Sequence, residues 1–196
     1  KGAINPSLGD AIASNDWPSI AAELGKSKNP IIARIGQLAG NLRGVNTEIN
    51  EAVLGPNPRV YGGWSKSTNR IFMRSMQNAS NESHVGHEVA HALTYHAIKN
   101  PRPDQKAAVA RLRNLYRFTK SSFKKAGYTE KQIYGLKDEY EFVAEAYSNA
   151  DFQTILAAIP YQKQTVWGAF TQAVADLLGI KNSNALTEFL ALSEEL

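Results

Sequence analysis

Cysteine is absent from these 196 residues, and its absence removes disulfides, thiolate metal sites and thiol nucleophiles together. Any metal bound here must be held by nitrogen and oxygen donors. Long apolar runs are also missing: none approaches the roughly 20 residues of a membrane-crossing helix, so a soluble protein without membrane contact is expected. Charge of one sign is not in large excess, with 22 Lys and Arg against 18 Asp and Glu and a pI near 9.2. That mild balance selects no partner. The first residue is Lys1 rather than methionine, which suggests a chain processed or cut from something longer. Internal repeats and low-complexity tracts are lacking, and the length with 43% hydrophobic residues suits a single domain over 1–196. Histidine is scarce too: all four lie in one stretch, residues 84–96, "HVGHEVAHALTYH".

Periodicity divides the chain into four parts. Residues 1–43 read as a helical lead-in, with Ile20, Leu24, Ile31, Ile32, Ile35 and Leu38 at helix-like intervals and Asn15 or Asp16 as a cap ahead of Pro18. Residues 44–76 read as a small sheet built from "GVNTEINEAVL", "RVYGG" and "NRIFMRSM", separated by Gly and Pro turns. Helices are expected at 80–98, 103–126, 137–149, 151–158, 165–178 and 184–195. Those up to residue 150 would carry a metal site, and 151–196 would form C-terminal helices. The fold class is α+β, mostly helical, with two to four strands packed on the histidine helix.

On a helix starting after a Ser80 or Asn81 cap, Val85, Val89, Ala92, Leu93 and His96 gather on one side and His84, His87, Glu88, His91 and Tyr95 on the other. His87 and His91 are i and i+4, so their imidazoles can meet one cation. Glu88 shares that face, where a carboxylate can accept the proton of a metal-activated water. "HEVAH", residues 87–91, is thus an H-E-x-x-H motif suited to hydrolysing an amide. His96 falls on the apolar side and is expected to be a hydrogen-bonded core residue, while His84 sits one turn too early to ligate. Gly86 suggests a close backbone approach. A catalytic zinc takes three protein ligands, and without cysteine or a later histidine the third must be Asp or Glu. Glu141 and Glu145, i and i+4 within "YGLKDEYEFVAEAYS", are the best source. One could bind metal while the other accepts the far N–H of a ligand histidine.

These two segments resemble the gluzincin type of zinc metallopeptidase and, within it, the anthrax lethal factor and Pro-Pro endopeptidase family. The resemblance covers residues 60–150. It implies one zinc ion held by His87, His91 and Glu141, with Glu88 as general base and Glu145 steadying a ligand histidine. Tyr134, seven residues before Glu141, would hydrogen-bond the developing oxyanion. It also implies an edge strand, Arg70, Ile71, Phe72, Met73 and Arg74, that binds a protein or peptide substrate by strand addition. Tyr140 and Tyr147 are read as structural. The flanks are more similar to zincin segments of phage polyvalent proteins or polymorphic toxins, which implies a secreted or delivered protein.

The function expected is a zinc-dependent endopeptidase. The alternative is a zincin-fold binding or scaffold module with little turnover. The basic stretch at 103–126 is read as a solvated helix face, so nucleic acid is not an expected partner.

Overall fold

Three capped helices open the chain in a computed structural model that describes residues 2–191: α1 (Pro6–Ala13), α2 (Trp17–Gly25) and α3 (Pro30–Ala39). Each follows an Asn or Asp whose side chain accepts backbone N–H groups, and each has proline in its first turn, which removes a donor that would otherwise lack a partner. Asp16 is the cap of α2. Asn15 instead takes a left-handed conformation, φ 53°, and its amide bonds Asn46 and the backbone of Thr47. The α2–α3 pair packs backbone to backbone, because a β-carbon on Gly36 would stand 2.3 Å from the Gly25 nitrogen.

The described residues form two compact units, one ending at Leu93 and the other beginning at Thr94. In the first, the three helices are followed by a three-stranded sheet of β1 (Asn46–Ile49), β2 (Gly62–Ser65) and β3 (Arg70–Met73), then a short helix α4 (Met76–Ala79) and most of α5 (Glu82–Lys99). Strand β3 alternates, with Ile71 and Met73 fully buried and Arg70 and Phe72 half-buried, as a strand over a core should. The Thr47 hydroxyl donates to the Ile12 carbonyl at 2.8 Å and ties β1 to the end of α1.

The sheet order corrects one expectation. Residues Arg70–Met73 lie in the centre, parallel to β1 on one side and antiparallel to β2 on the other. Both edges of β3 are thus spent on its neighbours, and no added strand can pair with it. The four-residue connection 66–69 folds β2 back along β3, and that pairing cannot be read from alternation. Arg74, also assigned to the edge, serves the loop before β2. Its guanidinium donates to the carbonyls of Val60, Gly55 and Asn57 at 2.6, 2.9 and 2.8 Å and meets Glu51 at 3.0 Å. A planar fork of five donors suits that task.

The second unit begins with the last turns of α5 and continues through α6 (Lys106–Lys125), α7 (Glu139–Ser148), α8 (Ala150–Ala158), a hairpin of β4 (Pro160–Tyr161) and β5 (Gln164–Thr165), α9 (Val166–Leu178) and α10 (Ser183–Leu190). Its core centres on Phe142 and Phe170, both fully buried, with Phe152, Val174 and Leu177. Residues 192–195 of the expected last helix lie outside the described residues. The boundary between the two units falls inside helix α5, where no linker composition marks it. The class is α+β and mostly helical, and no described helix is long and apolar enough to cross a membrane.

Candidate functional site

Helix α5 starts where the capping residues predict. The Asn81 side chain accepts from the backbone N–H groups of Ser83 and His84 at 3.0 and 3.2 Å, and Glu82 lies in the first turn, where negative charge is favourable. The Ser27 hydroxyl donates to Glu82 at 2.5 Å. Residues 3–5 run antiparallel to residues 80–82: the Asn5 N–H reaches the Ser80 carbonyl at 2.7 Å and the Glu82 N–H reaches the Ala3 carbonyl at 3.0 Å.

The chemical face of α5 is not a solvent face. Val85, Val89, Ala92 and Leu93 are buried as expected, but Glu88 and His91 are buried too, at 9% and 7% exposure, while His84, His87 and Tyr95 are half-buried. Burial alone pushes the Glu88 carboxyl up to about 8, far above its ordinary 4.5. Burial first, and the neighbouring His87 imidazole second, push His91 down to about 3. His91 therefore stays a neutral imidazole across physiological pH, the form that ligates metal without first losing a proton. Gly86 is buried in the same helix.

The other two histidines are accounted for differently. His84 stacks on Tyr61 with ring centroids 4.4 Å apart and planes 16° from parallel, and its Nδ1 lies 3.5 Å from the Asn78 amide. His96 is half-buried rather than a core residue, edge-on to Tyr95 at 5.5 Å, with its pKa lowered by burial and by Lys99.

The downstream candidates lie in the second unit. Asp138 caps α7 by accepting from the Glu141 N–H at 2.8 Å, and Glu141 is buried at 7% exposure in the first turn of that helix. Glu145 accepts from the Asn149 amide at 2.8 Å, and Asn149 in turn caps α8 through the Phe152 N–H. Tyr134 is exposed, with the Lys137 ammonium 5.6 Å from its ring centroid. It opens a short 3-10 turn, Tyr134–Leu136, pinned by Gly135, where a β-carbon would stand 2.7 Å from the Phe152 ring. Tyr140 packs on Tyr95 at 5.4 Å. Tyr147 is buried, shares a 2.7 Å hydrogen bond with Thr94 and has its pKa raised by burial, so both tyrosines have structural contacts. Sequence reasoning missed Asn149 as the partner of Glu145. Its signal was an Asn directly ahead of an apolar helix.

The structure thus brings His87, Glu88 and His91 together on one helix, while Tyr134, Glu141 and Glu145 belong to the other unit. Among the described residues no group of three or more His, Asp or Glu side chains stands ready to hold a metal ion. The donor chemistry of the helix pair fits two of the three zinc ligands, since imidazoles four apart have β-carbons about 5–6 Å apart. No family model, curated protein or solved structure matches this chain.

Two buried groups with opposite shifts give the metal-free protein a defined pH response. Between its ordinary 4.5 and about 8 the folded Glu88 holds a proton that the unfolded chain lacks, so stability falls as pH rises through that interval. Between about 3 and its ordinary 6.5 the unfolded His91 binds a proton that the folded one refuses, so stability falls as pH drops through that interval. The two slopes oppose each other from 4.5 to 6.5, where stability should be greatest. Melting temperatures of chelator-treated protein from pH 4 to 9 should trace this plateau with two falling limbs, and Glu88→Gln should erase the alkaline limb. A limb that survives that substitution contradicts the assignment.

Proposed function

We propose that this chain is a zincin-like zinc endopeptidase, resembling the lethal factor and Pro-Pro endopeptidase family, that cleaves a protein or peptide substrate. The observation that carries this reading is the buried face of α5. There a buried His91 lies one turn from His87, with the Glu88 carboxyl between them on the same helix face. His87 and His91 would hold the ion, and the motif reading assigns Glu141 as the third ligand. When bound, zinc supplies Lewis acidity toward water and toward a peptide carbonyl.

Glu88 takes a proton from the attacking water and returns it to the departing amine, so its protonation state is restored after each turnover. The resemblance assigns to Tyr134, whose phenol is exposed, the hydrogen bond to the carbonyl oxygen as negative charge develops on it. The same resemblance assigns Glu145 to steadying a ligand histidine. A substrate strand cannot add to β3; the outer edges of β1 and β2 carry no further strand among the described residues.

Metal analysis after dialysis against excess zinc tests the site. About one equivalent should remain in the wild type, and His91→Ala and Glu141→Ala should each release it. Zinc-free wild-type protein ends the metallopeptidase reading. Full retention by Glu141→Ala ends the third-ligand assignment alone.

A further inference from the structure

Charge in the second unit is segregated rather than in excess. Residues 106–125 carry seven basic residues and no acidic one, whereas residues 138–151 carry five acidic residues and no basic one. Three of the seven cations on α6 are matched from other elements: Arg111 by Asp176 at 2.6 Å, Arg113 by Glu139 at 3.1 Å, and Lys120 by Glu130. The remaining four, Lys106, Arg117, Lys124 and Lys125, are exposed and have no acidic partner among the described residues.

Lys106, Arg117 and Lys124 are eleven and seven residues apart, close to three and two whole helical turns, so they fall on one line about 27 Å long at 1.5 Å per residue. Nearest that line between them are Arg113, already paired with Glu139, and the exposed Ala110. The opposite face, with Val109, Leu112, Leu115 and Phe123, is buried in the core of the unit. Folding explains that apolar face and the three matched cations. Lys124 and Lys125 also suit the negative end of the helix dipole in its last turn, but folding gives no reason for the alignment of Lys106, Arg117 and Lys124, which repel each other.

We propose that this face of α6 binds the phosphate backbone of double-stranded DNA without regard to sequence. A straight row of point cations lets a regularly charged polymer lie along the helix, and phosphate contacts of this kind carry no base information. An anionic membrane fits less well, because a helix lying on lipid needs apolar side chains facing the bilayer, and those of α6 are buried except Phe118, which packs edge-on against Tyr161 at 4.9 Å. From the sequence alone the stretch is a solvated face. What the structure adds is which cations are already neutralised and which line up. The inference is independent of the metallopeptidase reading.

Fluorescence anisotropy of the full chain with a labelled duplex of about 20 base pairs tests it. Three aligned contacts predict that log affinity falls with log salt at a slope of about −2.7. Arg117→Glu with Lys124→Glu should weaken binding at least about tenfold and lower that slope by about 2. Lys28→Glu with Arg59→Glu, both exposed and in the first unit, makes the same change in net charge and should leave binding within about twofold. Three results would each overturn the proposal: no binding at low salt, equal losses in the two double variants, or preference for anionic phospholipid vesicles over the duplex.

Discussion

Replacing Glu88 by glutamine should lower peptide turnover about 10²- to 10⁴-fold, the range typical of a lost general base, while zinc content stays at the wild-type level. Glutamine matches glutamate in size and hydrogen-bonding reach but cannot carry the proton of the attacking water. Glu88 is buried and its carboxyl is raised to about 8, so the neutral amide resembles the form the fold already favours. The substitution should therefore not weaken the fold, and without metal at pH 9 it should strengthen it, because a buried charge is no longer forced on the interior. Cleavage of a mixed peptide library, followed by mass spectrometry, gives the activity; calorimetry at pH 9 gives the stability. Equal silence of wild type and variant at full zinc occupancy would leave a binding or scaffold module in place of an enzyme.

The second large effect lies in the aromatic core that holds α7. Phe142 is fully buried, with ring centroids of Tyr116, Phe152 and Phe170 at 5.9, 5.8 and 6.1 Å, mostly edge to face. Phe142→Ala removes that ring and leaves a cavity that stiff neighbours cannot close, which costs about 3–5 kcal/mol. Phe142→Leu, which keeps most of the volume, should cost under about 1.5 kcal/mol. Urea unfolding of the two variants would show the difference as a shift in midpoint without a change in slope. Comparable small losses in both would mean that Phe142 is not the centre of this core. Glu141 precedes Phe142 in the chain, so the alanine variant should also weaken any zinc affinity that Glu141 supplies.

Local signals carried much of the fold. A cap ahead of Pro18 marked the start of α2 and Asn81 that of α5, while the same kind of cap at Asn5, Asn29 and Asp138 went unread. Such caps act over three residues, so they can be read along the chain. The strand-like piece 44–54 was read too long. Only Asn46–Ile49 pairs with a neighbour, and Ala52–Leu54 turns into a 3-10 segment. The hairpin at Pro160–Thr165 was missed, because two-residue strands have no periodicity to detect. Pairing order was the larger loss. Nothing in "NRIFMRS" says whether one neighbour or two will claim its backbone, and β3 took the centre.

The site was legible to a similar extent. Spacing placed His87, Glu88 and His91 on one helix face, but it could not show that the face is enclosed, since burial depends on which distant segments cover it. Neither could it find the stack of Tyr61 on His84, which rests on a loop held in shape by Arg74.

The pairing of residues 3–5 with residues 80–82 means that the start of the histidine helix is set by chain almost eighty positions away. A synthetic peptide spanning only residues 80–98 would keep every letter of the motif yet lose this clasp, the enclosure of Glu88 and the neutrality of His91. In proteins most helical stability comes from tertiary packing rather than from the segment itself. The motif belongs to the segment, but its chemistry belongs to the folded unit around it.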